Sequence, residues 1–133
     1  MAAGDLADDL ADFRGAGRTL FSLGLVRGTE GNLSTWDGSR LRITRTGARL
    51  FELGDTDVVE GSLQEQPLGA SSDASLHVAM YRERGAGAIV HAHPPGTVPE
   101  GWVEGQEHGR YAHASTLEQA VRVLVAEARE RIP

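Results

Sequence analysis

The 133-residue sequence predicts a mixed α/β layer fold built around one sheet. Three segments place apolar residues at the three- and four-residue steps of a helix. Short apolar or alternating runs, bounded by Gly, Pro and Asp, lie between them. The resulting order is helix, strands, helix, strand, strand, helix. A chain of this length buries roughly two thirds of its unfolded surface, so residues 1–133 are expected to form a single domain.

The N-terminal half is predicted to contain one helix followed by short strands. The helix is expected to start at Asp5 as its N-cap and to stop at Gly24, because glycine tolerates the left-handed conformation that ends helices. Its apolar positions are Leu6, Leu10, Phe13, Gly17, Leu20 and Phe21. Residues 35–44 predict a hairpin that turns at Asp37-Gly38, while the rest of residues 28–50 is typical of turns. Val58 and Val59 predict a further short strand.

The C-terminal half is predicted to contain two helices and two strands. Residues 71–85 form the first of these helices, capped by Ser71 or Ser72, with a buried stripe of Leu76, Ala79 and Met80. Residues 87–93 predict a buried strand, and residues 101–115 a second strand region. The last helix is predicted to be capped by Ser115, with Glu118 completing a capping box. Its apolar stripe is Leu117, Val121, Leu124, Val125 and Ala128.

The composition excludes several kinds of chemistry. The chain has no cysteine, which rules out disulfides, thiolate nucleophiles, Cys-type zinc fingers and iron–sulfur clusters. All 13 of its basic Lys or Arg residues are arginines, so Schiff-base, PLP and P-loop mechanisms that need a lysine side chain are excluded as well. Histidines, carboxylates, hydroxyls, arginines and any metal that they hold remain available for catalysis.

The charge and hydropathy patterns indicate a cytoplasmic protein that binds neither nucleic acid nor membrane. The net charge of −6 and the pI near 5.3 disfavour phosphate-backbone binding, which needs a basic surface. No apolar run approaches the length of a membrane span. The first residues are acidic, whereas a signal peptide begins with basic residues.

Two histidines at the end of the predicted buried strand form the clearest candidate metal site. His91 and His93 are separated by one residue, and in a strand such side chains point to the same face. Two imidazoles can therefore reach one metal ion, although two hydrogen-bonded surface histidines would give the same pattern. An open catalytic zinc site needs a third protein ligand. His108 is the preferred candidate because Gly109 follows it, and His113 is the alternative.

Several polar residues lie where they could bind an anion or transfer a proton. Asp73 opens the second helix, where a carboxylate is most often a structural cap. His77 lies one turn later and could be a partner of Asp73, a ligand or a buried, hydrogen-bonded histidine. Three segments could present amides and hydroxyls to an anion: residues 31–34, Thr46-Gly47 and Ser71-Ser72.

Together these segments resemble the class II aldolase/adducin family. The resemblance rests on GNLS at residues 31–34, ITRTG at 43–47, SSDASLH followed by YRER at 71–84, VHAHP at 90–94 and the later HG at 108–109. The motifs occur in the family's order and span about residues 20–121. The stretch from Ser71 to Pro94 is the most specific part.

The resemblance implies a fold and a reaction. The fold is an α/β/α layered domain with a central mixed, largely antiparallel sheet. The activity is a zinc-dependent carbon–carbon lyase, an aldolase that cleaves a small phosphorylated sugar of the fuculose-1-phosphate kind to an aldehyde and a ketone. Zn²⁺ or another divalent metal stabilises the enediolate. The family also implies a homo-oligomer, commonly a tetramer.

The resemblance also assigns residues to these roles. It implies that His91, His93 and His108 bind the metal and that Asp73 is the catalytic acid/base. The residues that match the family's phosphate-binding segments are Asn32, Thr46, Gly47, Ser71 and Ser72.

Two departures from the family pattern keep other activities open. Asp73 stands where the family usually has Glu, and only 14 residues separate His93 from His108, where relatives carry a longer insert with a catalytic Tyr. A shorter carboxylate and a trimmed insert affect aldol cleavage more than metal binding. The alternatives are a related epimerase, dehydratase or decarboxylase, or a minimal metal-binding domain without catalytic activity.

Overall fold

The computed structural model describes residues 2–93 and 109–131, and the side chains of residues 9–93 and 109–127. Its helices are α1 (Ala2–Ser22), α2 (Ala74–Arg84) and α3 (Leu117–Arg131). Its strands are β1 (Asn32–Trp36), β2 (Leu41–Thr44), β3 (Val58–Gly61), β4 (Gly87–Ala92) and β5 (Arg110–Ala114), and a 3₁₀ turn spans Leu50–Glu52. Over these residues, none of the helices is both long enough and apolar enough to cross a membrane.

The five strands form one sheet in the order β3-β2-β1-β4-β5, and each neighbouring pair is antiparallel. The α/β class is therefore confirmed, and the described strands show none of the parallel pairing that a mixed sheet would have. Helices α1 and α3 cover one face of the sheet, and α2 covers the other. The sheet thus lies between two helical layers.

Alternation along the strands assigns side chains to two cores. Leu33 of β1 and Val90 of β4 pack with α1 and α3, whereas Leu41 of β2 and Ile89 of β4 pack beneath α2. Successive strand residues point to opposite faces. The larger apolar core lies on the α1/α3 side. The α2 side has the smaller apolar core and also contains buried polar side chains.

The buried face of α2 differs from the predicted one. Leu76 is 41% exposed and Ala79 is exposed, whereas His77 and Tyr81 are almost completely buried. Met80 is partly buried. Apolar spacing identified the wrong stripe because His77 and Tyr81 carry polar atoms that find partners inside the protein. A hydrogen-bonded polar group can be buried at little cost, and an apolar-only pattern does not detect it.

Two predicted helix caps also differ from the structure. Helix α1 already includes Asp5, so that residue is not its N-cap. At α3, the hydroxyl of Thr116 rather than Ser115 accepts the backbone N–H of Gln119, at 3.1 Å. Gly24 ends α1 as predicted, with a φ of 74° that glycine adopts without strain.

Candidate functional site

A row of polar side chains crosses the centre of the sheet on the face covered by α2. In the antiparallel register Asn32 of β1 lies opposite His91 of β4, and His91 lies opposite Tyr111 of β5. The rings of His91 and Tyr111 stack with centroids 4.0 Å apart and an interplanar angle of 5°. Strand pairing therefore fixes the position of His91 from both sides.

His93 follows β4 directly and lies beside His91. The two ring centroids are 4.8 Å apart. The backbone N–H of His93 donates to the carbonyl of Leu25 at 2.8 Å, which holds the chain as it leaves the sheet. The two imidazoles are thus neighbours, as the motif predicts, although His93 lies just beyond the strand.

Most of the residues predicted for the site line one cavity of about 340 Å³. These residues are Asn32, Thr46, Gly47, Ser71, Ser72, Asp73, His91 and His93. His108 lies outside the residues that the structure describes. His113, the alternative third ligand, is placed elsewhere, since its Nε2 lies 3.0 Å from the carbonyl of Gly85.

The Asp73 side chain is directed at the histidine pair instead of capping its helix. Asp73 occupies the N-cap position of α2 but makes no side-chain capping hydrogen bond. Its Oδ2 accepts from Asn32 Nδ2 at 2.9 Å and lies 3.1 Å from His91 Nδ1. Asn32 Nδ2 is also 3.0 Å from His91 Nδ1. The structural-cap interpretation is therefore wrong, and the carboxylate and imidazole lie in direct contact.

His77 is buried beneath this cluster. Its Nδ1 lies 2.6 Å from Ser34 Oγ, and its Nε2 contacts Asn32 Oδ1. Burial, with a smaller effect of the neighbouring His91, lowers the pKa of His77 to about 3, so the ring is neutral at pH 7. Of the three roles considered for His77, the structure shows the buried, hydrogen-bonded histidine; its ring bonds Asn32 and Ser34.

Tyr111 also borders the cluster. Its ring meets His77 edge-on, with centroids 5.9 Å apart. Burial and the nearby Asp73 carboxylate raise the pKa of the Tyr111 hydroxyl. Within the described residues this buried oxygen makes no hydrogen bond of standard geometry. Tyr111 therefore remains protonated at neutral pH beside the carboxylate.

Two of the three predicted anion-binding segments, Thr46-Gly47 and Ser71-Ser72, are joined to each other beside the cavity. The Thr46 N–H donates to the Gly69 carbonyl at 2.8 Å, and the Ser71 N–H donates to the Thr44 carbonyl at 3.0 Å. These bonds place Thr46-Gly47 next to the start of α2. They also occupy two backbone amides, so an anion bound there would use the hydroxyl groups and the remaining amides.

The histidine pair would account for two of the three ligands that an open zinc site requires. Within residues 2–93 and 109–131, no group of three His, Asp or Glu side chains has a metal-binding arrangement. Gly109 directly follows His108 in the sequence, and a Cβ atom at Gly109 would lie 3.2 Å from His91 Nε2. The missing side chain leaves space beside that nitrogen. The donors present therefore fit a zinc-type site that His108 would complete.

A larger cavity of about 580 Å³ lies at the other end of the sheet, near Trp36 and Gly87. Its arginines are engaged by carboxylates: Arg42 bonds Asp9 and Glu60, and Arg40 lies 3.6 Å from Asp37. The smaller cavity contains the histidine pair and is the better candidate for chemistry.

Comparison with known proteins identifies the family of the chain. A family model described as the class II aldolase and adducin N-terminal domain matches residues 11–101. The chain belongs to the class II aldolase and adducin family. The family match includes Asn32, Asp73, His91 and His93.

Three similar proteins illustrate the family. The L-fuculose-1-phosphate aldolase of Thermus thermophilus is 39% identical, with a TM-score of 0.62 over 67% of this chain and 47% of its own. A 5-methylthioribulose-1-phosphate/5-deoxyribulose-1-phosphate aldolase of Rhodospirillum rubrum is 39% identical over 85 residues, 60% of this chain and 38% of its own. A probable bifunctional methylthioribose-1-phosphate isomerase/methylthioribulose-1-phosphate dehydratase of Nocardia farcinica is 36% identical over 84 residues. The match covers 59% of this chain and 15% of that protein. The chain thus spans less than half the length of each of these family members.

The sequence analysis included the buried role of His77 but did not identify Tyr81 and Tyr111 as members of the cluster, and it named Ser34 only within a segment for anion binding. It predicts a turn at residues 31–34, yet Asn32 and Ser34 lie on one face of β1. A strand beginning at Asn32 would have placed both side chains towards α2. His77 and Tyr81 are one helical turn apart and therefore share a face of α2. That spacing could have indicated that both side chains meet polar partners on β1.

Proposed function

We propose that the protein is a divalent-metal-dependent lyase of the aldolase type that cleaves a small sugar phosphate. The observation that carries this proposal is the contact between the Asp73 carboxylate and His91, in a cavity that His93 and the Thr46-Gly47 and Ser71-Ser72 segments also line. A proton-transfer group, candidate metal ligands and candidate phosphate-binding groups thus share a space of about 340 Å³. That volume suits a small metabolite.

The relatives support this class of substrate. The similar aldolases are named for fuculose-1-phosphate, 5-methylthioribulose-1-phosphate and 5-deoxyribulose-1-phosphate. All three are phosphorylated at carbon 1 of a keto sugar. We therefore infer a 1-phosphorylated ketose as the substrate class of this chain.

His91 and His93, with His108 as the predicted third ligand, would hold Zn²⁺ or another divalent metal. When bound there, the metal would supply Lewis-acid polarisation of the substrate carbonyl and stabilisation of developing negative charge. The chain has no lysine that could form a Schiff base for the same purpose. This proposal depends on three ligands and an open position, as catalytic zinc sites require.

Asp73 is proposed to exchange the proton of the reaction. Its side chain is 26% exposed, so a substrate in the cavity can reach it. Its Oδ2 atom contacts Asn32 and His91, and these contacts fix the position of the carboxylate. Catalysis by a positioned acid or base requires hydrogen-bond reach to the reacting group. Asp is one methylene shorter than the usual Glu, and its 3.1 Å approach to His91 Nδ1 supports a role at the metal site.

The substrate phosphate is proposed to bind at the start of α2 and at Thr46-Gly47. The hydroxyl-bearing residues Ser71, Ser72 and Thr46 line this region, and helix N-termini attract anions. Asn32 was also assigned to the phosphate, but its amide nitrogen contacts Asp73 and His91 in the structure. We therefore place the phosphate mainly on the hydroxyl-bearing wall.

Dehydration of a sugar phosphate is the second candidate reaction. The Nocardia farcinica relative is named in part as a probable methylthioribulose-1-phosphate dehydratase. In a dehydration the Asp73 carboxylate would take a proton from the carbon beside the carbonyl, and the hydroxyl group on the next carbon would take up a proton and leave as water, so that no carbon–carbon bond is broken. The products distinguish the two reactions: an aldehyde and a ketone phosphate, or a single dehydrated sugar phosphate.

The family resemblance supports a proposed assembly, and the charge and hydropathy patterns support a proposed location. We propose a homotetramer in the cytoplasm, without nucleic-acid or membrane partners. Light scattering at known concentration tests the tetramer, and a monomer at every concentration would contradict it.

The proposed reaction is tested by loading the full chain with zinc and screening ketose and aldose phosphates. Aldehyde release from a 1-phosphorylated ketose is the expected result. The Asp73→Asn variant is the matched control, because it keeps the side-chain shape without the basic oxygen. Product formation that is equally fast in this variant, or absent with all ketose phosphates, contradicts the proposal.

A further inference from the structure

A series of hydrogen bonds connects the core beneath α2 to the Asp73 carboxylate. The Tyr81 hydroxyl lies 2.8 Å from Ser34 Oγ, and Ser34 Oγ lies 2.6 Å from His77 Nδ1. His77 Nε2 contacts Asn32 Oδ1, and Asn32 Nδ2 lies 2.9 Å from Asp73 Oδ2. The four residues that lead to Asp73 in this series are each at most 4% exposed. Water therefore competes little with these bonds.

In each hydrogen bond of this series, the chemistry of the two groups determines which one is the donor and which one is the acceptor. An ionised carboxylate only accepts hydrogen bonds, so the NH₂ group of Asn32 must face Asp73 and its Oδ1 must face His77. Oδ1 also only accepts, so His77 Nε2 carries the ring proton. Because the ring is neutral, its Nδ1 has a lone pair and accepts from the Ser34 hydroxyl. Ser34 Oγ in turn accepts from the Tyr81 hydroxyl.

We propose that His77 is a positioning residue, which fixes the orientation of the Asn32 amide so that its NH₂ group holds the Asp73 carboxylate beside His91. The inference rests on the proposed function, in which Asp73 exchanges the substrate proton, and it explains how that carboxylate is held in place. Helix α2 carries both Asp73, at its N-cap, and His77. The carboxylate and the residue that orients its partner therefore belong to one rigid element.

Loss of the His77 donor leaves Asn32 Oδ1 without its buried partner and removes one of the bonds that fix the orientation of the Asn32 amide. A rotated amide would present Oδ1 to the Asp73 oxygen, and two acceptors at 2.9 Å repel each other. Asp73 would turn away from its position beside His91. A displacement of about 1 Å at a reacting group can cost about 100-fold in rate. The metal ligands themselves are not changed.

Three variants separate positioning from a general loss of packing. His77→Leu removes both ring nitrogens and keeps a buried side chain of moderate size. His77→Gln retains an N–H donor that can reach Asn32 Oδ1. Val78→Ala is the control, since Val78 is buried on the same helix but lies outside the hydrogen-bonded series.

Kinetics of the zinc-loaded variants form the first readout. We expect His77→Leu to lower kcat by about 10- to 100-fold with KM within twofold. We expect His77→Gln to recover kcat to within about fivefold of the unaltered protein, and Val78→Ala to stay within twofold. An unchanged kcat in His77→Leu, a rise in KM instead, or an equal loss in Val78→Ala overturns the inference.

Nuclear magnetic resonance of the ¹⁵N-labelled chain forms a second readout that needs no activity. We expect His77 in the unaltered protein to carry its proton on Nε2, and the Asn32 NH₂ protons to show contacts to the His91 ring. These contacts should persist in His77→Gln and disappear in His77→Leu. A proton on Nδ1, or Asn32 contacts that survive in His77→Leu, overturns the inference. The expected spectra without sugar-phosphate cleavage would instead reject only the proposed reaction.

Discussion

Gly31 is the point where the loop before β1 passes closest to the backbone of His91, and a methyl group there should destabilise the fold. A Cβ atom at this position would lie 2.6 Å from the His91 carbonyl oxygen and 2.9 Å from Val26 Cγ1. The carbonyl would have to retreat by about 0.8 Å to reach an ordinary contact of 3.4 Å. Gly31 also has a φ of 81°, in the left-handed region that disfavours side chains.

The expected loss of stability follows from these two effects. The left-handed conformation costs about 1–2 kcal/mol for a residue with a Cβ, and overpacking at a rigid backbone costs about 1–3 kcal/mol. Lower unfolded-state entropy returns about 0.4–1 kcal/mol. These terms sum to about 1–4.6 kcal/mol, and we therefore expect Gly31→Ala to lower the free energy of unfolding by about 3 kcal/mol, the middle of that range. The affinity for zinc should fall too, because His91 moves relative to His93.

Urea denaturation followed by circular dichroism measures this effect, with Gly28→Ala as the matched control. Gly28 lies in the same loop and has a φ of 54°, but a Cβ there would meet nothing within 4 Å. The control should lose about 1 kcal/mol or less. With a urea slope of about 2 kcal/mol/M, Gly31→Ala should shift the midpoint down by about 1–2 M. Equal shifts in the two variants would refute the close approach to His91.

Three further outcomes test other parts of the structure. His91→Ala should reduce bound zinc from stoichiometric to background by elemental analysis, and unchanged zinc would exclude His91 as a ligand. Asp73→Asn should retain zinc but lower kcat by at least about 100-fold in the aldehyde-release assay, so a fully active variant would remove Asp73 from catalysis. In helix α1, Gly17→Ala should lower the melting temperature, because its Cβ would lie 1.9 Å from the Leu50 carbonyl oxygen. Gly15→Ala, with nothing within 4 Å of its Cβ, should raise the melting temperature through better helix propensity. Melting-temperature shifts of the same sign in both variants would contradict the close packing of Gly17 against Leu50.

The sequence predicted the elements of the fold better than their buried faces. Apolar periodicity and turn residues locate three helices and the strands, because those signals are local. The buried stripe of α2 was wrong since it is determined by partners from distant segments. His77 and Tyr81 point inward because Ser34, more than 40 positions earlier in the chain, bonds their polar atoms. No local pattern around residue 77 contains that information.

In the candidate site too, the features set by local sequence were predicted, whereas the contacts between distant segments were not. The spacing of His91 and His93 predicts two neighbouring imidazoles, and the structure places their rings 4.8 Å apart. The family resemblance selected the residues lining the cavity, although their roles stay predictions. Neither the spacing of the histidines nor the family resemblance indicated the contact of Asn32 with Asp73 and His91. That contact depends on the register of β1 against β4, which is set by tertiary pairing.

The account depends most on one divalent cation held by His91, His93 and His108. X-ray diffraction from crystals of the full chain grown with zinc, with data collected at the zinc absorption edge, locates that ion directly. We expect one anomalous peak at about 2.0–2.1 Å from a nitrogen of each of the three imidazoles, within reach of Asp73. Zinc bound elsewhere, or a His108 ring turned away from the other two, would contradict the account.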